Sequence, residues 1–242
     1  MKSKRKNVKI NQKVKKLAKE LKPTQTIENT SKNQINEKCI TVILTKCSLE
    51  IAKINGKLEL LDGNKHKNYL LSKHKNIIDY RPDISHQCLL MLQDSPLNRV
   101  GQLNVYLKTI NNVLIKINPQ TRIPRTFDRF SGLMVQLLQK LSIRATDSST
   151  KLLSIIANPV SKYLSLDSIK IVTSCHVEYK ENQLEPFLNN SRPLVFYIGA
   201  MSHGSQSVDD ATESISFGSH PLSGALACAK LCTIIENYRN IF

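Results

Sequence analysis

The sequence contains no apolar run approaching the roughly 20 residues needed to span a bilayer. Its opening, MKSKRKNVKINQKVKKLAKELK, has none of the apolar core of a secretory signal. The protein is therefore expected to work inside the cell, without a membrane partner. Cys-x-x-Cys spacing is absent and the six His are scattered, so no metal site is expected. The patterns GxxxxGK[ST], GxGxxG and GxSxG are missing as well, which removes support for a P-loop, a dinucleotide fingerprint and a nucleophile-elbow hydrolase. No internal repeat is visible. Acidic residues are scarce, 19 Asp+Glu against 35 Lys+Arg, and the resulting net charge of +16 draws in polyanions. Nucleic acid is the leading partner class, ahead of the competing anionic membrane surface, for which no apolar run offers a span.

A chain of 242 residues suits one domain plus a tail. Residues 1–38 carry twelve Lys/Arg and three Glu and hold few large apolar side chains. Such a stretch cannot bury enough surface to offset chain entropy, so a basic, disordered tail is expected. A short helix around Val14–Leu21 on contact with RNA is one reading of it. A nuclear-import or solubility tail is another.

From Cys39 onward, apolar runs alternate with turn residues. CITVILT, Cys39 to Thr45, has the β-branched content of a buried strand. LNVYLKTINNVLIKI predicts two strands joined at Asn111 and Asn112. Helices are predicted over Ile84–Gln93, with Asp83 as N-cap, over Thr126–Leu141, and over Pro221–Tyr238 with proline at the start. Lys170–Ser174 and Pro193–Ala200 are further strands. The interleaving predicts an α/β domain with a largely parallel sheet over residues 39–242. Cys39, Cys47, Cys88, Cys175, Cys228 and Cys232 are expected as buried free thiols, with Cys228 and Cys232 on one helical face.

Three segments carry possible chemistry. In TRIPRTFDRF, Arg122, Arg125 and Arg129 fall within eight residues, and a helix starting just past Pro124 would put Arg125 and Arg129 one turn apart. Guanidinium forks beside a helix start suit phosphate oxygens. A solvated basic face, or ion pairs with carboxylates elsewhere, fits the same residues. In YRPDISHQCLLM, Arg81 and Asp83 flank a proline at a helix mouth, either as cap and ion pair or as an RNA contact and its orienting partner. Gly199 and Gly204 in YIGAMSHGS, and Gly218 and Gly224 in FGSHPLSG, follow apolar strands, where glycine lets backbone approach a ligand. Ordinary turns would look the same.

The runs RPDISHQCLLMLQDSPLNRVGQLNVYLKT and NVLIKINPQTRIPRTFDRFSGLMVQLLQKLSIRA, followed by KLLSIIANPVSKYL, VFYIGAMSHG and PLSGALACAKL, closely resemble the ribosome-biogenesis pseudouridine N1-methyltransferases. These form the essential-for-mitotic-growth, or nucleolar essential protein, family of the SPOUT superfamily. The resemblance covers most of Cys39–Phe242 and leaves the basic tail outside. It implies an α/β-knot domain with a C-terminal trefoil knot, an obligate homodimer and S-adenosyl-L-methionine as cofactor. On the matching positions, cofactor contacts fall at Thr173, Gly199, Gly204, Phe217, Gly218, Ser219, His220, Pro221 and Leu222. Arg81, Arg122, Arg125 and Arg129 match RNA-contacting arginines. For methyl transfer, Arg81 is expected to position and Asp83 to orient Arg81 or the flipped base, with a general-base role for Asp83 ranked below that. The implied substrate is a small-subunit rRNA hairpin loop, methylated at a pseudouridine N1 in the nucleolus, alongside small-subunit assembly factors or ribosomal proteins. A non-catalytic rRNA-binding assembly factor is the alternative. The chain departs from the family in GSHPLS, where SNYPLS is usual, with His220 in place of a common Tyr, and in VTSCHVE.

Overall fold

The computed structural model describes residues 39–146, 148–204, 208 and 211–242. The tail and its Val14–Leu21 helix lie outside the described residues. In chain order the elements are β1 (Ile40–Cys47), β2 (Ile51–Ile54), β3 (Lys57–Leu60), α1 (Lys67–Leu71), α2 (Pro82–Asp94), α3 (Pro96–Arg99), β4 (Leu103–Thr109) and β5 (Leu114–Ile117). There follow α4 (Phe127–Lys140), β6 (Ser142–Arg144), β7 (Lys151–Ile156), β8 (Ile169–Thr173), α5 (Glu185–Leu188), β9 (Leu194–Gly199), β10 (Glu213–Ile215) and α6 (Gly224–Arg239).

Eight strands form one sheet in the order β10-β8-β9-β1-β4-β5-β7-β6. The first five are mutually parallel, whereas β5, β7 and β6 pair antiparallel. The expected largely parallel α/β sheet is thus a mixed one. β1 sits at its centre because nearly every side chain in ITVILTKC is buried: Ile40, Val42 and Leu44 on one face, Ile43 on the other. The β4–β5 hairpin turns at Asn112, whose φ of 58° lies in the left-handed region that Asn tolerates. A second hairpin, β2–β3, turns at Asn55 and Gly56, both at positive φ. This Asn-Gly pair is the strongest short hairpin signal in the chain.

Phe130, Met134, Leu137 and Leu138 make one buried stripe on α4, which packs on β3, β6 and β7 and ends where Leu141 turns left-handed at φ 66°. Cys228, Leu231, Cys232 and Ile235 do the same for α6, which lies against α2. The large core joins these helices to one face of the sheet. The opposite face has a small cluster of its own, Ile43, Tyr106, Leu114, Val172, Val195 and Tyr197. It is covered by Val160, Leu164, Val208 and Ala211, and by no α-helix among the described residues.

Two helix starts differ from expectation. α2 begins at Pro82, so Asp83 lies inside its first turn and does not cap it. α6 begins at Gly224, where Ser223 accepts the Leu226 amide at 3.2 Å, leaving Pro221 outside the helix. Among the thiols, Cys47, Cys88, Cys228 and Cys232 are buried as expected. Cys39 is only half-buried, and Cys175, in the loop after β8, is exposed.

Candidate functional site

β8, β9 and β10 run parallel, so their C-terminal ends open onto one edge of the sheet. β1 continues rightward to β4 while β9 continues leftward to β10, which makes the β9/β1 boundary a switch point, the place where open α/β sheets bind ligands. Thr173 closes β8, Gly199 closes β9, and Phe217–Leu222 follow β10 at that edge. Thr173 Oγ1 donates to the Tyr197 carbonyl at 3.2 Å, which ties the ends of β8 and β9 together. Phe217 is buried in the main core, and its carbonyl accepts from Lys230 Nζ of α6 at 2.9 Å. Ser216 Oγ donates to the Gly218 carbonyl at 2.8 Å, and Gln183 donates to the Ser216 carbonyl. Ser219, His220 and Pro221 are exposed, Gly218 and Leu222 half-buried. What this edge offers is mainly backbone held in place from behind.

At Gly224 any side-chain carbon would stand 2.8 Å from the Gly199 carbonyl oxygen and 3.1 Å from Cys88 Sγ. The start of α6 therefore rests directly on the end of β9. Beyond it, Gly204 takes φ +89°, which only glycine adopts readily. Between them Ser202 Oγ donates to the Ile78 carbonyl at 2.8 Å, and His203 Nε2 lies 3.3 Å from Asp79 Oδ1. Ile77–Asp79 form the turn that leads into Arg81. Arg81 holds Asp83 with two parallel bonds, Nε to Oδ1 at 2.9 Å and Nη2 to Oδ2 at 2.7 Å, leaving its Nη1 unused by that carboxylate. Asp83 raises the Arg81 pKa first through those bonds.

The segment after β5 is fixed at four points. Asn98 Nδ2 donates to the Pro119 carbonyl at 3.0 Å, Thr121 Oγ1 to the Leu152 carbonyl at 2.8 Å, and His86 Nε2 to the Pro124 carbonyl at 2.7 Å; Arg125 pairs with Asp94 at the far end of α2. The His86 ring also stacks on Phe130, centroids 4.5 Å apart. α4 starts at Phe127, so Arg125 precedes the helix and does not share a face with Arg129 as expected. Arg122 and Arg129 are exposed and make no ion pair among the described residues. Asp62 acts electrostatically on both Arg81 and Lys65, and Lys65 also feels Asp128 in the first turn of α4. The α4 start and Arg81 thus border the same region.

Sequence reasoning missed His86, Asp94, Ser202 and His203, whose partners lie far away in the chain. It also missed a buttress behind Arg81. Glu50 accepts from Tyr80 Oη at 2.9 Å and from Lys75 Nζ at 2.6 Å, while Lys75 sits 5.1 Å from the Tyr80 ring centre. Burial, then Glu50, pushes the Tyr80 hydroxyl pKa upward. Among the described residues, no cluster of three His, Cys, Asp or Glu could hold a metal, and no helix is long and apolar enough to cross a membrane.

A sheet edge at a switch point that offers mainly backbone, with its β9 loop tied to the turn before Arg81, puts the chain in the class of open α/β proteins, which hold ligands at such edges. The comparisons narrow it. Residues 42–236 match the EMG1/NEP1 methyltransferase family, and the chain belongs to that family. The human ribosomal RNA small subunit methyltransferase NEP1 is 50% identical over 204 residues, covering 84% of this chain and 83% of its own. The Caenorhabditis elegans relative, nep-1, is 47% identical over 208 residues, with 84% and 89% covered. The crystal structure of Archaeoglobus fulgidus Nep1 bound to S-adenosylhomocysteine superposes with a TM-score of 0.70 at 25% identity, over 84% of this chain and 99% of that one.

Proposed function

We propose that this chain is an S-adenosylmethionine-dependent methyltransferase that modifies N1 of a pseudouridine in a hairpin loop of small-subunit rRNA, during assembly of that subunit in the nucleolus. One observation carries the reading: the β9 loop at the switch point is bonded through Ser202 and His203 to the turn that presents Arg81, which supports a cofactor edge adjoining the RNA-contacting side. The relatives' names, and the S-adenosylhomocysteine held by the archaeal neighbour, agree with it.

The edge fits such a cofactor because it offers backbone groups and hydroxyls, with no carboxylate cluster among the described residues. Thr173, Gly199, Gly204 and Gly218–Leu222 would hold it. Phe217 supports the loop from the core, so only its backbone faces the crevice. When bound, the cofactor supplies an electrophilic methyl group on sulfur. The chain's own task is alignment, which can be worth roughly 7–11 kcal/mol. Arg81, steered by Asp83, would meet the anionic face of a uracil ring that has lost its N1 proton. Arg122, Arg125 and Arg129 would bind loop phosphates, and with Arg81 they give a log-log salt slope of roughly −2 to −3.

The family's C-terminal knot and homodimer belong to this reading. Met91 on α2 and Leu226 and Ile234 on α6 remain exposed on two helices that pack together, an apolar surface suited to a second copy. Methylation of matched hairpins carrying uridine or pseudouridine, read by nucleoside mass spectrometry, tests the whole. Methyl transfer to pseudouridine alone supports it. Equal transfer to both, or to neither, sinks it.

A further inference from the structure

Between Asp94 and Asp167 the sequence has ten Lys/Arg and two acidic residues, Asp128 and Asp147. The arginine segment accounts for three of the ten. Others collect on, or in the turn over, the sheet face that carries no α-helix among the described residues. Cross-strand pairing sets Lys116 of β5 directly beside Tyr106 of β4, and Lys108 of β4 points to the same side two residues on. The Tyr163 ring stacks on Tyr106, centroids 6.3 Å apart and planes 29° from parallel, and stays 40% exposed. Lys162 precedes it in the same turn. Lys108, Lys116 and Lys162 are exposed and form no ion pair among the described residues. Asp128 starts α4, on the opposite side of the sheet.

We propose that this face, Lys108, Lys116 and Lys162 around the Tyr106–Tyr163 stack, is a second RNA contact that takes single-stranded RNA flanking the methylated hairpin. Three cations close together suit a phosphodiester backbone, and an exposed, braced aromatic ring suits an unpaired base. Duplex RNA hides the faces of its bases, so its fit here is poorer. The chain's own N-terminal 38 residues cannot be the occupant, since they carry the same sign of charge. A second copy would bring lysine against lysine.

The proposal rests on the rRNA reading above, and the experiment keeps the two apart. Full-length protein is titrated, by fluorescence anisotropy across a salt series, with the pseudouridine hairpin, with that hairpin extended by about ten unpaired nucleotides, and with the unpaired strand alone. The extension is expected to tighten binding roughly tenfold and to steepen the log-log salt slope by about 2. Lys108→Glu/Lys116→Glu abolishes the gain and the slope change. Tyr163→Ala lowers the gain several-fold and leaves the slope unchanged. Neither variant alters affinity for the minimal hairpin or methyl transfer to it; Lys116→Ala, a milder change, guards against misfolding.

A wild-type protein indifferent to the extension, or variants that keep the full gain, would overturn the second contact. So would tighter binding of a poly-glutamate peptide than of the free strand, which would reassign the face to an acidic protein. Failure of the minimal hairpin to bind or be methylated, with the free strand still bound through Lys108 and Lys116, strikes the proposed function and leaves this face standing.

Discussion

The Gly199 carbonyl oxygen approaches Gly224 so closely that one added carbon would lie 2.8 Å from it. Neither partner can retreat easily, because Gly199 closes a central strand and Gly224 opens the helix packed against α2. Gly224→Ala should cost about 1–3 kcal/mol, as overpacking does elsewhere. Thermal melting would show a Tm lower by several degrees. Calorimetry would show S-adenosylmethionine affinity falling at least tenfold, because the strain lands on the loop proposed to hold it. An unchanged affinity would mean that the crevice lies elsewhere.

Asp83 accepts from both Nε and Nη2 of Arg81 while both side chains remain partly exposed, 30% and 43%. Solvent screening keeps the pair's contribution to stability under about 1 kcal/mol. In the proposed function its service is orientation. Asp83→Asn should leave the melting curve within a few degrees and cut methyl transfer at least tenfold, with the loss mainly in kcat. Wild-type kcat in a folded Asp83→Asn protein would remove both the steering role and any role as base.

Arg125 is anchored to Asp94, whereas Arg129 is unpaired among the described residues, so the two should answer differently to charge reversal. Arg129→Glu should weaken hairpin binding about tenfold and reduce the magnitude of the salt slope by about 1. Arg125→Glu should weaken it as well, and it additionally sets a glutamate beside Asp94, so its melting temperature falls too. S-adenosylmethionine binding should stay nearly constant in both. Joint loss of RNA and cofactor binding would recast the segment as structural support.

Burial pushes the Cys47 and Cys232 thiols up to about 12, and Cys228 upward as well through burial and its neighbour Cys88. Below about pH 8 these groups are neutral in folded and unfolded chains alike, so their burial costs no ionisation. From about pH 8 toward 12 the unfolded chain loses protons that the folded chain keeps, and stability falls as pH rises. Denaturant titrations between pH 8 and 11 should show that decline, and Cys47→Ala should make it shallower. A thiol reagent should label Cys175 fast, Cys39 slowly, and the other four only on unfolding. Rapid native labelling of Cys47 or Cys228 would contradict this burial.

The strands and helices that define the sheet were legible because one periodicity dominates each, as in ITVILTKC or the Phe130–Leu138 stripe. The β2–β3 hairpin carried an equally plain Asn55–Gly56 signal, passed over because its strands are only four residues each. Helix starts shifted where two caps competed: Ser223 outcompeted Pro221, and Arg81 captured the carboxylate expected to cap α2. At the site, residue types were readable but alliances were not. His86 meets Pro124 across 38 positions and Ser202 meets Ile78 across 124, distances at which nothing in local sequence announces a partner.

The central place of β1 also sets an order of events during synthesis. One edge of β1 finds β4 soon after both emerge, but the other belongs to β9, and Thr45 bonds Ile198 across 153 positions. At about 5–20 residues per second, a ribosome needs roughly 8–30 s to deliver that second neighbour. Throughout this wait a long, buried and largely apolar strand of the nascent protein has an open flank, the kind of edge that recruits stray strands. A chain cut short before β9 would be left with that flank permanently bare.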